Sequence, residues 1–346
     1  MNEILTPILA QLTRGAELSP DEVDAAVGEI FDGNVSDMQA AAFIVALRTK
    51  GETVQELAAL VRAMHRYATH VDVADGAIDT CGTGGDRSGT INVSTMAALV
   101  AAGAGARVVK HGNRAASSQA GSADVLEELG VAIELGPAGV AKCVEEAGVG
   151  FCFARRYHPA MRFLGPARAE IGVPTTFNFL GPRANPARVR RQAVGVCDAT
   201  MAERMLGELR ELGTERAMIF FGDDGLDELT TTSTSTVYEL VDDRLHSYSL
   251  DPSDLGVARA DPAQLVGGDA VTNAKLLRAV LGGEQGPQRD LVVLNAGAAL
   301  MVAGIAADLP TGVELARTSI DSGAADRALD TMARVSTAER AAEGDA

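Results

Sequence analysis

A chain of 346 residues, 47% hydrophobic and 22% charged, has the apolar content of an ordinary globular protein and the length for about two domains. Its 47 acidic residues outweigh 30 basic ones, for a formal net charge of -17. A surface of that sign repels phosphate backbones and anionic lipid, which argues against nucleic-acid and membrane binding, and any anionic ligand then needs a local cluster of donors, cations or metal.

The first 70 residues read as helices. Ser19 with Glu22, Ser36 with Gln39 and Thr53 with Glu56 repeat the capping-box spacing, with Pro20 at a first helical position. Apolar residues follow at helical intervals, among them Val23, Val27 and Ile30, then Phe43, Ile44 and Leu47, then Leu57, Leu60, Val61 and Met64. This segment is read as packing and dimer contact rather than chemistry. Its leading residues lack a basic stretch and a small-residue cleavage site, and no apolar run reaches the ~18 residues of a membrane span. Cys81, Cys143, Cys152 and Cys197 are scattered without a C-x-x-C pair, which predicts reduced thiols in a cytoplasmic protein.

From residue 77 onward, short apolar runs alternate with helical stretches. Strands are expected at 77–80, 107–110, 151–153, 193–196 and 218–221, with helices at 94–102 and 123–129. That alternation predicts a largely parallel sheet covered by helices. Residues 237–241 and 245–250 around Asp242-Asp243-Arg244 resemble a hairpin. The Thr/Ser tract 230–236 reads as extended chain near a loop. The remainder from 276 is mostly helical, with 336–346 expected to fray.

Four stretches carry chemistry. The first runs from Asp79 through Gly82, Gly84, Gly85 and Asp86 to Asn92, Ser94 and Thr95. Glycines directly after a strand bring backbone N–H groups close to an anion, and a helix N-terminus beyond them favours phosphate. A tight turn before a capped helix explains the same glycines; the stretch is neither a Walker loop nor a G-x-G-x-x-G turn. The second, Lys110 to Asp124, gathers Lys110, Asn113 and Arg114 with three serines after a strand. A polar loop capping the next helix has no need of those three together, and a second anion-type loop at the same sheet edge strengthens a polyanion site. The third, Gly222-Asp223-Asp224-Gly225-Leu226-Asp227-Glu228, concentrates carboxylates that need a cation between them, or is an acidic surface turn. In the fourth, 168–186, Arg168 is a natural fork for a carboxylate or an exposed helix residue, and the lone His158 precedes it.

In this order, GTGGD, NVST, KHGNR, SSxxGSAD, R-x-x-x-G-x-x-T-x-F-N-x-L-G-P and D-G-L-D-E closely resemble the anthranilate phosphoribosyltransferases, across about residues 5–335. The resemblance implies an α/β fold of the nucleoside phosphorylase and phosphoribosyltransferase type. A small helical domain would span 1–72 with a contribution from 170–190, and a larger α/β domain with a mostly parallel central sheet would span 75–346. It implies a magnesium-dependent enzyme that joins anthranilate to phosphoribosyl pyrophosphate (PRPP) in tryptophan biosynthesis, and a homodimer formed through the helical domains. Carried onto this sequence, PRPP would meet Gly82, Gly85, Asp86, Thr90, Asn92, Val93, Ser94 and Thr95. Lys110, His111, Gly112, Asn113, Arg114, Ala115, Ala116, Ser117, Ser118 and Ser122 would close over its phosphates and ribose. Ser94, Asp227 and Glu228 match the magnesium positions. Gly82, Asn113 and Arg168 match anthranilate contacts, with His111 and His158 along that substrate's path. One departure is Arg183, in Gly181-Pro-Arg183-Ala-Asn-Pro, where many members carry Leu.

Two other readings stand beside this one. A pyrimidine nucleoside phosphorylase-like enzyme shares the fold and a phosphate loop, but pairing Asp227-Glu228 with Asn92 and Ser94 favours a pyrophosphate-magnesium substrate. A non-catalytic nucleic-acid-binding member of the same structural group calls for a basic face, which a net charge of -17 opposes.

Overall fold

The computed structural model describes residues 2–115 and 119–344. Four helices open it: α1 (Leu5–Leu12), α2 (Pro20–Phe31), α3 (Asp37–Lys50) and α4 (Val54–Tyr67). All three expected capping boxes are present at α2, α3 and α4. Glu56 does more than cap. Buried, it accepts from the Leu18 N–H at 2.8 Å and pairs with Lys50 at 2.8 Å, which ties the chain before α2 to the α3–α4 turn.

The larger part alternates strands and helices: β1 (Asp79–Gly82), α5 (Val93–Gly103), β2 (Val108–Gly112), α6 (Ser122–Glu128), α7 (Pro137–Ala147) and β3 (Val149–Phe153). Short helices α8 (Ala154–Tyr157), α9 (Gly165–Ile171) and α10 (Thr176–Leu180) lead to β4 (Arg191–Gly195), α11 (Ala199–Glu211) and β5 (Arg216–Gly222). The hairpin β6 (Ser235–Val241) and β7 (Arg244–Leu250) follows, then α12 (Ala270–Leu281), α13 (Pro287–Ala303), α14 (Leu309–Asp321) and α15 (Ala324–Gly344).

Five strands pair in the order β1-β4-β5-β6-β7, and β2 pairs with β3. A parallel bridge between Ile78 and Val108 brings β2 alongside β1. The β1–β4, β4–β5 and β2–β3 pairs are parallel; the hairpin adds the antiparallel ones. The fold is therefore a small N-terminal helical domain with a larger α/β domain around a mostly parallel sheet.

Alternate side chains leave opposite faces of these strands. Ala193, Met218 and Phe220 join the core beneath α5 and α13, while Val194, Ala217 and Ile219 join the core shared with α2, α3, α4 and α11. Leu164, Phe177, Phe179 and Leu180 enter that second core, so the 164–184 segment packs with the N-terminal helices.

Three expectations need adjustment. The strand expected at 77–80 begins two residues later, because regular pairing with β4 starts at Asp79↔Gln192 and Ile78 makes only the isolated bridge. The hairpin turn is Asp242-Asp243 alone, both at positive φ (49° and 61°), a conformation whose twist matches the flanking strands. The fraying expected over 336–346 is wrong for the described part. There α15 continues to Gly344, Ser336 is buried, and Glu343 accepts from the Gly136 N–H at 2.7 Å and from Arg156 at 3.2 Å. Those partners are remote in sequence, so the C-terminal composition does not reveal them.

Candidate active site

Chain order places β1 between β2 on one side and β4 on the other, a point where successive connections run in opposite directions. In open α/β sheets, ligands bind beyond the carboxyl ends of strands at such a point. The motifs gather there: Gly82 ends β1, Gly112 ends β2, Gly195 ends β4 and Gly222 ends β5.

The first glycine loop leaves β1 with Gly84 and Gly85 at φ of 72° and 92°. Its Gly84 N–H donates to Asp227 Oδ2 at 2.6 Å, and Thr83 N–H to the Gly195 carbonyl at 2.9 Å. Asp86 accepts from the Ser88 hydroxyl at 2.6 Å, and Ser88 lies 3.2 Å from the Thr90 hydroxyl. Helix α5 then starts at Val93, one residue before the expected Ser94, and Asn92 precedes it. The Asn92 side chain does not cap that helix. It donates to the Ala120 carbonyl at 3.1 Å and accepts from Asn273 at 2.8 Å, which ties the first loop to the second and to α12.

Glycine at the ends of β1 and β4 is a packing requirement. A Cβ on Gly82 would sit 2.3 Å from Asp227 Oδ2, and one on Gly195 would sit 1.8 Å from the Asp227 carbonyl oxygen. The Asp227–Glu228 segment thus lies directly against the strand ends. Asp227 and Glu228 are 8% and 7% exposed, so their charge is almost entirely withdrawn from water. Burial first, then the neighbouring charges of Glu228 and Asp86, hold Asp227 well above the usual carboxylate range. Burial pushes Glu228 up to about 8, against the opposing pull of Lys110 and a backbone hydrogen bond from Ser94. Two desolvated carboxylates side by side fit a divalent cation with oxygen ligands, which would remove the repulsion. The adjacent pair Asp223 and Asp224 is different: Asp224 accepts from the Thr230 hydroxyl at 2.7 Å and Asp223 from that of Thr236 at 3.1 Å. The Thr/Ser tract is what uses those two acids.

The second loop has a buried foundation. Lys110, 3% exposed, donates to the Thr80 carbonyl at 2.8 Å and to the Ser94 hydroxyl at 3.2 Å. Asp79 is fully buried and accepts from the His111 N–H at 3.3 Å and from Asn185 Nδ2 at 2.8 Å. Burial raises its pKa to about 6, against the pull of Lys110 and these hydrogen bonds. Beyond Asn113, Arg114 pairs with Asp124 at 2.9 Å and Glu127 at 2.8 Å, and Asp124 also accepts from the N–H groups of Ala115 and Gly121. Ser122 donates to the Asn113 carbonyl at 3.3 Å. Ala116, Ser117 and Ser118 lie outside the described residues.

Near the 181–185 turn, His111 Nδ1 lies 3.0 Å from the Gly181 carbonyl, so Nδ1 carries the proton and Nε2 is an acceptor. That Nε2 and His158 Nε2 are buried without hydrogen-bond partners among the described residues, and the two rings lie 5.0 Å apart. Burial depresses His111 to about 3 and His158 to about 4, so both are neutral at physiological pH. Arg168, on α9, is half-buried and makes no ion pair among the described residues; burial lowers its pKa. A cation without a counter-charge suits an incoming carboxylate. Asn178 is taken up locally, its Oδ1 accepting from the Thr175 N–H at 3.0 Å.

The structure therefore gathers the first loop, Lys110, Ser94, Asp227 and Glu228 around the ends of β1, β2 and β4. Sequence reasoning assigns no role to Asp79, Gly195 or Asn273. A carboxylate at the head of an otherwise apolar strand is the one available signal for Asp79; nothing local marks the other two.

These carboxylates set a pH dependence. In the native, metal-free protein they hold protons that the unfolded chain releases near pH 4–5, so stability falls as pH rises towards about 8. The unfolded chain's histidines have shed most of their protons by about pH 7, and Asp79 is ionised in the native protein by then, so from about pH 7 to about 8 the fall comes mainly from this pair. Across that window the metal-free melting temperature is expected to fall, and the increment from adding a magnesium salt to grow. Scanning calorimetry at fixed ionic strength checks both; a flat increment would mean that the pair holds no cation.

The α/β part, residues 74–326, matches the glycosyl transferase family, a/b domain, and residues 6–68 match the glycosyl transferase family, helical bundle domain. Anthranilate phosphoribosyltransferase of Rubrobacter xylanophilus is 51% identical over 96% of this chain and 98% of its own. That of a Nocardioides species is 53% identical over 93% and 96%. The crystal structure of the Thermus thermophilus enzyme of that name superposes with a TM-score of 0.90 at 42% identity, covering 95% of this chain and 99% of that one. The Saccharomyces cerevisiae enzyme in complex with PRPP and Mg gives 0.90 at 25% identity, covering 98% and 99%.

Proposed function

The chain belongs to the anthranilate phosphoribosyltransferases of the glycosyl transferase family, and from that premise we propose how it works. It transfers the phosphoribosyl group of PRPP to the amine of anthranilate, giving N-(5-phosphoribosyl)anthranilate and pyrophosphate, the second step of tryptophan biosynthesis from chorismate. The observation that carries this reading is the buried Asp227–Glu228 pair pressed against the glycine loop, a metal-ready site beside an anion-ready one.

The first loop, from Gly82, Gly85 and Asp86 through Thr90 to the start of α5 at Asn92, Val93, Ser94 and Thr95, binds the diphosphate and ribose. The second loop, Lys110 to Ser118 with Ser122, closes over them. Magnesium, held by Ser94, Asp227 and Glu228, would supply the positive charge that stabilises the departing pyrophosphate. Lys110, held by Thr80 and Ser94, adds fixed charge at the same place. Arg168 takes the anthranilate carboxylate, with Gly82 and Asn113 beside the amine. The neutral rings of His111 and His158 wall the approach, and a neutral aromatic amine needs no strong base. Aligning the two substrates and excluding water supply much of the acceleration.

The test is loss of anthranilate fluorescence over time with PRPP and magnesium. Rapid loss that stops on chelation supports the assignment; a folded protein that leaves the fluorescence unchanged refutes it. Arg168→Ala is expected to raise the anthranilate KM by about 100-fold while leaving the PRPP KM within about threefold, because a charged hydrogen-bond pair is worth about 1.5–3 kcal/mol. Equal changes in both constants would show that Arg168 supports the fold rather than the carboxylate.

The domain division is proposed as 1–72, with 170–190 packed against it, and 75–346; the shared core of the 164–184 segment supports it, and proteolysis confined to the 68–78 connection would test it. A homodimer through the helical part is supported by exposed Met38 (82%), Ile4 (45%) and Val45 (44%), and a monomer in sedimentation equilibrium would refute it. No helix among the described residues is long and apolar enough to cross a membrane, which supports a cytoplasmic location; fractionation with membranes would count against it.

A further inference from the structure

A second cavity, of about 250 Å³, lies between α4 and the amino-terminal end of β4, whereas the glycine loops lie at the strand's other end. Arg62, His65, Arg183, Arg188, Arg190 and Gln192 line it, and none of the substrate-facing residues above does. Four arginines around one cavity reverse the sign of a chain whose net charge is -17. Their local neutralisation is incomplete. Arg183 is matched by buried Glu208 at 2.8 Å, and Arg190 shares Glu215 with Arg191, at 3.1 and 3.0 Å, while its Nε and Nη2 donate to the Gly213 carbonyl at 3.2 and 3.0 Å. Arg188 faces Asp72 at 3.7 Å with both side chains largely exposed, and Arg62 makes no ion pair among the described residues.

Beneath these cations lie two acceptors without donors. Gln192, 1% exposed, gives its Nε2 to the Pro182 carbonyl at 2.7 Å, which fixes the amide orientation; its buried Oε1 has no partner among the described residues. The ring of His65 donates to the Arg183 backbone, and its buried Nδ1 is likewise unmet. Burial, then the charge of Arg183, depresses this histidine to about 4, so Nδ1 offers a lone pair at neutral pH. A buried acceptor left without a donor is destabilising, and a ligand donor would relieve that. Inorganic phosphate, with five heavy atoms, leaves much of a cavity of about 250 Å³ unfilled.

We propose that this cavity is a second binding site, for a small organic carboxylate that also carries a neutral O–H or N–H donor. The carboxylate meets the rim arginines Arg62 and Arg188, and the donor meets Gln192 Oε1 or His65 Nδ1. The inference is independent of the reaction proposed above.

The probes are 4-hydroxybenzoate, benzoate and inorganic phosphate, titrated calorimetrically into the full chain. One equivalent of 4-hydroxybenzoate is expected to bind, with benzoate about tenfold weaker because it lacks the donor. Arg62→Ala with Arg188→Ala, both on the exposed rim, is expected to weaken binding at least about tenfold with an unchanged melting temperature. Arg168→Ala is expected to leave it unchanged. No heat up to about 10 mM, corresponding to under about 3 kcal/mol, overturns the proposal. So does binding lost only with Arg168→Ala, which places the acid in the anthranilate region, and so does tighter binding of phosphate at the same arginines.

Discussion

Asp227→Asn combined with Glu228→Gln is expected to lower kcat/KM at saturating magnesium by at least about 1000-fold, equivalent to about 4 kcal/mol of transition-state stabilisation. In the same variant the metal-free melting temperature should hold or rise. The reason for the opposite signs is the environment of the pair. Both carboxylates are more than nine-tenths buried, the charge of Glu228 raises Asp227, that of Asp86 raises both, and the N–H groups of Gly84 and Ser94 donate to them. Without a cation they cost stability, through the protons they must take up or, once ionised, through desolvation and like-charge repulsion. The amide of Asn still accepts from Gly84, so the loop keeps its attachment while the charge disappears. A structural role predicts the reverse: broken hydrogen bonds, a lower melting temperature, and activity lost in proportion to unfolding. Fluorescence kinetics and metal-free calorimetry on one preparation separate the two. A loss below about tenfold in a folded variant would remove these residues from the metal site.

That contrast also shows what the sequence makes legible. Capping boxes, the alternation of strands and helices, and the glycine loops are local patterns, and each appears where the spacing puts it. The helix beginning at Val93 and the hairpin around Asp242-Asp243 are readable for the same reason. Partners are not readable. The four acids of 223–228 look alike in sequence, yet Asp223 and Asp224 turn to threonine hydroxyls while Asp227 and Glu228 turn to the strand ends. The C-terminal helix is polar enough to suggest fraying, and its anchor is Glu343 against Gly136 and Arg156, 207 and 187 residues away. Asp79 belongs to the same class: its function as the footing of the second loop depends on Asn185 and the His111 backbone, which only the packed sheet brings to it.

The other large effect comes from a residue with no side chain. Gly195→Ala places a Cβ 1.8 Å from the Asp227 carbonyl oxygen, 2.5 Å from its carbon and 3.2 Å from the Glu228 nitrogen. The first two distances are far inside van der Waals contact, and the obstruction is backbone, which no rotamer change relieves. Retreat of the strand is blocked as well, since β4 is paired on both sides, to β1 and β5, and Val194 and Val196 are fully buried. The 227–228 segment must therefore lift away from the strand ends, stretching the Gly84–Asp227 hydrogen bond and moving both carboxylates relative to Ser94. Overpacking of this kind costs about 1–3 kcal/mol, so the protein should fold with a reduced melting temperature. Catalysis should fall further than stability, by at least about 100-fold in kcat/KM, because a shift near 1 Å at a preorganised site is felt in full by the transition state. The control is Gly165→Ala, where the added methyl meets nothing within 4 Å and both quantities should stay near the unsubstituted values. Retained activity in Gly195→Ala would mean that the 227–228 backbone can move without consequence, and the close approach of that segment to β4 would then have no part in positioning the proposed metal ligands.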